Sequence, residues 1–150
     1  MRLTFREATP RDVPVVVALL TDDVLGHARE TATEDDYLRA FDQMSDEPQN
    51  HLIVGENQEG EIVATYQITF VSGLSLAATR RAQIESVRIA SHLRGHGLGA
   101  QMLADAEARA RLAGCGLLQL TMNTNREDAH RFYISQGFEA THTGFKRRLD

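Results

Sequence analysis

Apolar and polar residues alternate from the start of the chain: in RLTFRE, Leu3 and Phe5 fall on one face, which predicts a half-buried strand. The period then changes. The run VPVVVALL behind Pro10 and Asp12 is β-branched, but Pro14 suits the first turn of a helix better than a central strand. TEDDYLRAFDQM opens on Thr33 and a group of acids, which favour a positive helix end, and Tyr37, Leu38, Phe41 and Met44 recur at helical spacing. Two strands, HLIVGE and EIVATYQITFV, flank the hairpin signal NQEG, and RAQIESVRIA predicts a third. Past a glycine-rich turn, Leu98, Met102, Leu103, Ala106 and Ala110 mark one face of a helix that runs to Gly114, a C-terminal cap. LLQLTMN reads as a buried strand, EDAHRFYISQ as a helix closed by Gly137, and GFKRRL as a last strand. The order β-α-α-β-β-β-α-β-α-β predicts an α/β fold with a single mixed, mostly antiparallel sheet flanked by helices and a β-α-β crossover late in the chain. No repeat or low-complexity tract divides the 150 residues, so one domain over 1–150 is expected.

Composition narrows the class. A chain of 150 residues buries roughly two thirds of its unfolded surface and needs no disulfide or metal to fold. Its single cysteine excludes an internal disulfide and suits a reducing compartment. A net charge of −5 argues against nucleic acid as a partner, and the basic clusters Arg80-Arg81 and Lys146-Arg147-Arg148 are short and lack aromatic company. The charged first residues show no signal-peptide core, and no apolar run approaches the ~20 residues of a membrane span. A cytoplasmic protein with neither a membrane nor a nucleic-acid partner is expected.

The chemistry concentrates in Gly95-His96-Gly97-Leu98-Gly99-Ala100, with Arg94 just before it. The string satisfies the G-x-G-x-x-G/A fingerprint of a dinucleotide-binding turn. Its surroundings argue otherwise, because the following strand ends in TMNTN with no carboxylate until Glu127, and too little chain remains for a second nucleotide-binding half. A nucleoside-triphosphate loop fails as well, since no Lys-Ser or Lys-Thr follows the glycines. What survives is physical: close glycines let backbone N–H groups converge at a helix N-terminus, where the dipole favours an anion and Arg94 adds a cation. That describes a pyrophosphate cradle, or else a tight turn without a ligand.

The segment Arg94 to Gly99, after a strand and opening a helix, resembles the R-x-x-G-x-G/A motif of the GNAT family of N-acetyltransferases. IESVRI resembles the family's central strand, DAHRFYISQGF resembles its A-x-x-F/L-Y-x-x-x-G-F segment, and the order of elements matches over the whole chain. The resemblance implies acetyl-CoA as acyl donor and a small-molecule amine or exposed amino group as acceptor. It implies that backbone amides of Arg94, Gly95, His96, Gly97, Leu98, Gly99 and Ala100 hold the pyrophosphate, and that main-chain groups of Val87, Arg88 and Ile89 bond the pantetheine arm as an added strand. It assigns Glu85 as the base that deprotonates the amine, and Tyr133 as the acid that protonates the departing thiolate, with Phe132 and Asn125 beside the donor. Period two puts Glu85 on the same strand face as Val87. Homodimers are common in the family, and the sequence leaves the oligomeric state open.

Other readings stand beside these. Glu85 could be a surface carboxylate paired with an arginine, and Tyr133 a core tyrosine packed on Phe132. Arg126 holds the place where many members carry Asn; Asn125, one position early, either contacts the donor or caps the next helix with Asp128. His92 and His96 stand four apart within a turn and lack a third ligand, so no metal is expected. Cys115, between Gly114 and Gly116, reads as a small buried hydrophobe. The acids Asp22, Asp23, Glu30, Glu34, Asp35 and Asp36 either attract a cationic amine or form a solvated helix face, and Tyr66 and Phe70 either line an acceptor cleft or pack in the core. A non-enzymatic acyl-CoA-binding module is the alternative function, with a dinucleotide oxidoreductase more distant.

Overall fold

The computed structural model describes every residue of the chain except Asp23, with the backbone alone at Val24 and Leu25. Two compact units result, Met1–Gln119 and Leu120–Asp150. The first contains β1 (Thr4–Glu7), α1 (Val13–Thr21), α2 (Val24–Arg29), α3 (Glu34–Ser45), β2 (Asn50–Glu56), β3 (Ile62–Val71), a single turn α4 (Ser75–Ala78), β4 (Arg81–Ile89), α5 (Leu98–Leu112) and most of β5 (Leu117–Leu120); the second contains α6 (Glu127–Ser135).

The five strands form one mixed sheet in the order β1-β2-β3-β4-β5. The first three pairings are antiparallel. β5 runs parallel to β4, because the Gly116 N–H donates to the Arg80 carbonyl at 2.8 Å and Gln119 meets Gln83 at 2.8 Å three residues further along both chains. Register sorts the side chains by face. Ile53 lies opposite Tyr66, and Ile68 opposite Ile84, on the face that α5 covers with Leu98 and Met102; all six are buried. Each such residue contributes roughly 1.5–3 kcal/mol through burial. The other face carries Leu52, Thr65 and Gln67 toward α1 and α3. There α1 presents Val13, Val16, Val17 and Leu20, and α3 presents Tyr37, Ala40, Phe41 and Met44. Both sets follow the i, i+3, i+4, i+7 spacing of one helical stripe.

Local chemistry fixes the ends. Thr33 caps α3 by accepting from the Asp36 N–H, while Asp36 accepts the Thr33 N–H in return. Gly114, at φ +78°, closes α5: its N–H reaches the Arg111 carbonyl and the Cys115 N–H reaches Ala110. Gly137 does the same for α6, with Phe138 bonding back to Tyr133.

Four features depart from the sequence reading. α2 was expected as loop; six residues carrying Gly26 are too few to display a 3.6-residue period. α4 is a left-handed turn, with φ of 54°, 58° and 62° at Leu76, Ala77 and Ala78, a conformation that costs L-residues about 1–2 kcal/mol each. β5 stops at Leu120, before the rest of LLQLTMN. The expected closing strand GFKRRL does not form: residues 138–150 carry no regular element. Alternation supplies a strand pattern, but a strand exists only where a neighbouring ladder takes up its N–H and C=O groups.

Candidate functional site

The glycine turn is built as its sequence requires. Gly95 and Gly97 adopt φ of +83° and +77°, and Gly97 occupies the N-cap position of α5. A Cβ at either would meet nothing within 4 Å, so backbone conformation and not space demands glycine there. Leu98 is buried and anchors the first turn of the helix. Helix geometry leaves the first four N–H groups of α5 without intrahelical acceptors, and no acidic side chain occupies this turn, whereas Arg109 and Arg111 occupy the last. Those N–H groups and the helix dipole favour an anion at this end of α5.

Arg94 is directed elsewhere. Its Nη2 donates to the Asp22 carbonyl at the end of α1 (2.9 Å) and its Nε to the Ile89 carbonyl (3.3 Å), while the Ser91 N–H donates to Asp22 Oδ2 (3.2 Å). The His96 Nδ1–H donates to the carbonyls of Leu93 and Arg94, at 3.0 and 3.1 Å. His96 is thereby part of the turn's scaffold, and among the described residues no group of three His, Cys, Asp or Glu is arranged to hold a metal ion.

Upstream of the turn, β4 carries an irregularity that the sequence does not show. Glu85 lies opposite Gln67, but Arg88 lies opposite Thr65, so two residues, Ser86 and Val87, face Tyr66 alone. This is a β-bulge, with Ser86 at φ +54°. It corrects the period-two reading, because Glu85 shares its face with Arg88 and not with Val87. Past the bulge Val87, Arg88 and Ile89 are half-buried, and the Arg88 Nη1 donates to the Val87 carbonyl at 2.9 Å. Glu85 is exposed, and among the described residues none pairs with its carboxylate.

Between the helices and this part of the sheet lies a cleft of about 110 Å³, floored by Leu52, Thr65, Gln67 and Ser86. None of the described residues lining it is charged. Gln67 Nε2 donates to Asn50 Oδ1 at 2.9 Å, and the Thr65 hydroxyl donates to the Ile53 carbonyl. Tyr66 does not line the cleft. It is 1% exposed on the opposite face, where its hydroxyl donates to Asp105 Oδ2 at 2.6 Å. Burial first, and the Asp105 carboxylate second, push its pKa upward and keep the phenol neutral. Phe70 stacks against His51 and under Arg80. Of the acids of residues 22–36, Asp22 holds the Arg94 loop, Glu30 accepts from the Tyr37 hydroxyl and Asp36 caps α3, while Glu34 and Asp35 are exposed in its first turn. Asp23 lies outside the described residues.

In the second unit Tyr133 is half-buried, with Phe132 and Phe138 edge-on to its ring at 5.3 and 5.7 Å. Arg126 occupies the N-cap position of α6, and the Asn125 N–H is held by Asn123 Oδ1. Asn125 therefore does not cap the helix: the turn that Asn123 closes moves the helix start one residue on. Cys115 is half-buried, more open than a core position.

Sequence reasoning missed Gln67, Asn50 and the Asp22 tie. The first two gave no motif, and Asp22 lies 72 residues from Arg94, too far for any local pattern to join them.

Comparison with known proteins bears on the fold and the family. Over residues 16–138 the chain matches the family model described as acetyltransferase (GNAT) family. It is 40% identical over 67 residues to an aminoalkylphosphonate N-acetyltransferase of Salmonella typhimurium, a match covering 45% of this chain and 44% of that protein. A transcriptional regulator from Bacillus halodurans C-125 superposes with a TM-score of 0.92 and 43% identity, over 99% of this chain and all of that one. A Clostridium acetobutylicum protein named as a predicted acetyltransferase and solved with acetyl-CoA shares the fold, at TM-score 0.73 and 18% identity over 99% of this chain and 97% of that one. The chain belongs to the GNAT family of acetyltransferases.

Proposed function

We propose that the protein is an N-acetyltransferase that moves an acetyl group from acetyl-CoA to a primary amine within a ternary complex. The observation that carries this reading is the order along one stretch of chain: the bulge beside Glu85 leads through Val87–Ile89 and a single 3-10 turn, Ser91–Leu93, to the Gly95–Ala100 turn at the start of α5. Acetyl-CoA supplies the acyl group already activated as a thioester. The N–H groups of the turn hold its diphosphate, and the main chain of Val87, Arg88 and Ile89 aligns the arm that reaches back toward Glu85.

An amine of pKa near 10 is neutral in about one molecule in a thousand at pH 7, a handicap of roughly 4 kcal/mol. The Glu85 carboxylate accepts a proton from the acceptor nitrogen, directly or through one water, and frees the lone pair that attacks the acyl carbon. As the carbon–sulfur bond breaks, the Tyr133 hydroxyl gives its proton to the sulfur. Holding both reactants in one site supplies much of the remaining acceleration. The N-acetyltransferase named for the Salmonella relative supports an amine acceptor.

The Bacillus relative's description as a transcriptional regulator favours a second reading, an acyl-CoA-binding module without turnover. Thiol release from acetyl-CoA against a panel of amines, for wild type and Tyr133→Phe, separates the two. Turnover that falls by about 10²-fold or more in the variant supports the enzyme. Tight acetyl-CoA binding without acetylation of any amine supports the sensor.

A further inference from the structure

We infer that the acceptor is an amine carried on a compact, uncharged apolar body, and that this body occupies the cleft between α1, α3 and the β2–β4 floor. The inference rests on the acetyltransferase reading and adds to it the substrate class. Its first ground is the lining. Two helical stripes face each other over the floor, and the only polar side chains among the described lining residues are Tyr37, Thr65, Gln67 and Ser86. Of these, Tyr37 and Thr65 already donate elsewhere. A polycation or an anionic amine placed there would lose hydration with no opposite charge to meet among the described lining residues, whereas an alkyl or aryl body gains from burial.

The second ground is position. Gln67, on the floor, is the cross-strand partner of Glu85, and directly opposed residues hold their Cβ atoms about 4.5–5.5 Å apart. An amine whose body sits in the cleft therefore presents its nitrogen beside the Glu85 carboxylate. Gln67 donates its Nε2 to Asn50, which leaves Oε1 as the acceptor for an amine N–H. Apolar surroundings also disfavour the ammonium form and lower the amine's pKa, the direction in which Glu85 must move it. A volume of about 110 Å³ suits a branched alkyl chain or a single ring. Beyond Phe41 and Met44 a wider hollow of about 270 Å³ opens beside Glu7, Glu47 and His51, and a larger acceptor would extend that way.

The test compares kcat/KM for phenethylamine and isopentylamine with that for spermidine and 2-aminoethanesulfonate, all with acetyl-CoA. Calorimetric titration of phenethylamine into the protein with coenzyme A runs alongside. The apolar amines are expected to lead by about tenfold or more. Met44→Phe, which fills the cleft from α3, is expected to raise the KM for phenethylamine about tenfold while the acetyl-CoA Kd stays within about twofold. Val17→Leu, from the opposite wall, is expected to act in the same direction, so the result does not hang on the folding of one variant. Turnover of spermidine or 2-aminoethanesulfonate at or above the apolar amines would overturn the substrate class and leave the enzyme standing. Phenethylamine that binds without thiol release from any amine would overturn the enzyme and leave the cleft standing. Absence of both binding and turnover overturns both.

Discussion

Arg94 donates through Nη2 to the carbonyl of Asp22, joining the start of the glycine turn to the last turn of α1 across 72 residues of sequence. The carbonyls at a helix C-terminus lack intrahelical donors and carry partial negative charge, so a guanidinium there is well placed. The wall of the apolar cleft and the glycine turn are thus tied at one point.

Arg94→Ala is expected to weaken acetyl-CoA binding by about tenfold and to raise the KM for the amine as well. Arg94→Lys should restore little, because a single ammonium cannot reach Asp22 and Ile89 together as the guanidinium fork does. Calorimetric Kd values and acceptor KM values for both variants check this.

Glu85→Gln should lower kcat/KM by about 10²–10⁴ at pH 7. The deficit should narrow about tenfold per pH unit as the solution itself deprotonates an amine of pKa near 10. Parallel pH–rate profiles that never converge would show that Glu85 does not act as the base.

Asp12 links stability to pH. It is 7% exposed, accepts from Arg6 at 2.7 and 3.1 Å and from the Thr9 N–H at 2.7 Å, and Arg6 also holds Glu56. Hydrogen bonding to Arg6, against the opposing effect of burial, holds the Asp12 carboxyl below the usual carboxylate range. A depressed folded-state pKa stabilises the fold above the unfolded value near 3.9, and that contribution disappears as pH falls through the folded value. Asp12→Asn is expected to cost about 1–3 kcal/mol at pH 7 and to cost progressively less below about pH 4. Urea denaturation of both proteins across that range measures it.

Tyr66→Phe deletes one donor to Asp105 but leaves Arg109 on that carboxylate at 2.8 Å. A loss of about 1–2 kcal/mol, a few degrees in Tm, is expected, with the amine KM unchanged because the pair lies on the face away from the cleft. A changed amine KM at unchanged Tm would contradict that placement.

Elements whose signals are local were legible in the sequence. The caps at Thr33 and Gly114, the hairpin at Asn57–Gly60 and the glycine turn each depend on a few adjacent residues, and all form as expected. The family followed from motifs of the same local kind. What escaped depends on pairing across the chain. A bulge is defined by its neighbour's register, so Ser86 looked like any strand residue and Glu85 was given the wrong face-mate. Gln67 became informative only once β3 placed it opposite Glu85, and Asn125 lost its capping role to a turn closed by Asn123.

The extra residue at Ser86 gives β4 two phases of side-chain alternation. Glu85 and Arg88, three residues apart, therefore share one face, whereas a regular strand puts residues three apart on opposite faces. Deleting Ser86 would merge the two phases into one regular ladder, with Val87 alone opposite Tyr66 and Arg88 still opposite Thr65. One lost residue would thus straighten the strand and leave the facing on either side as it is.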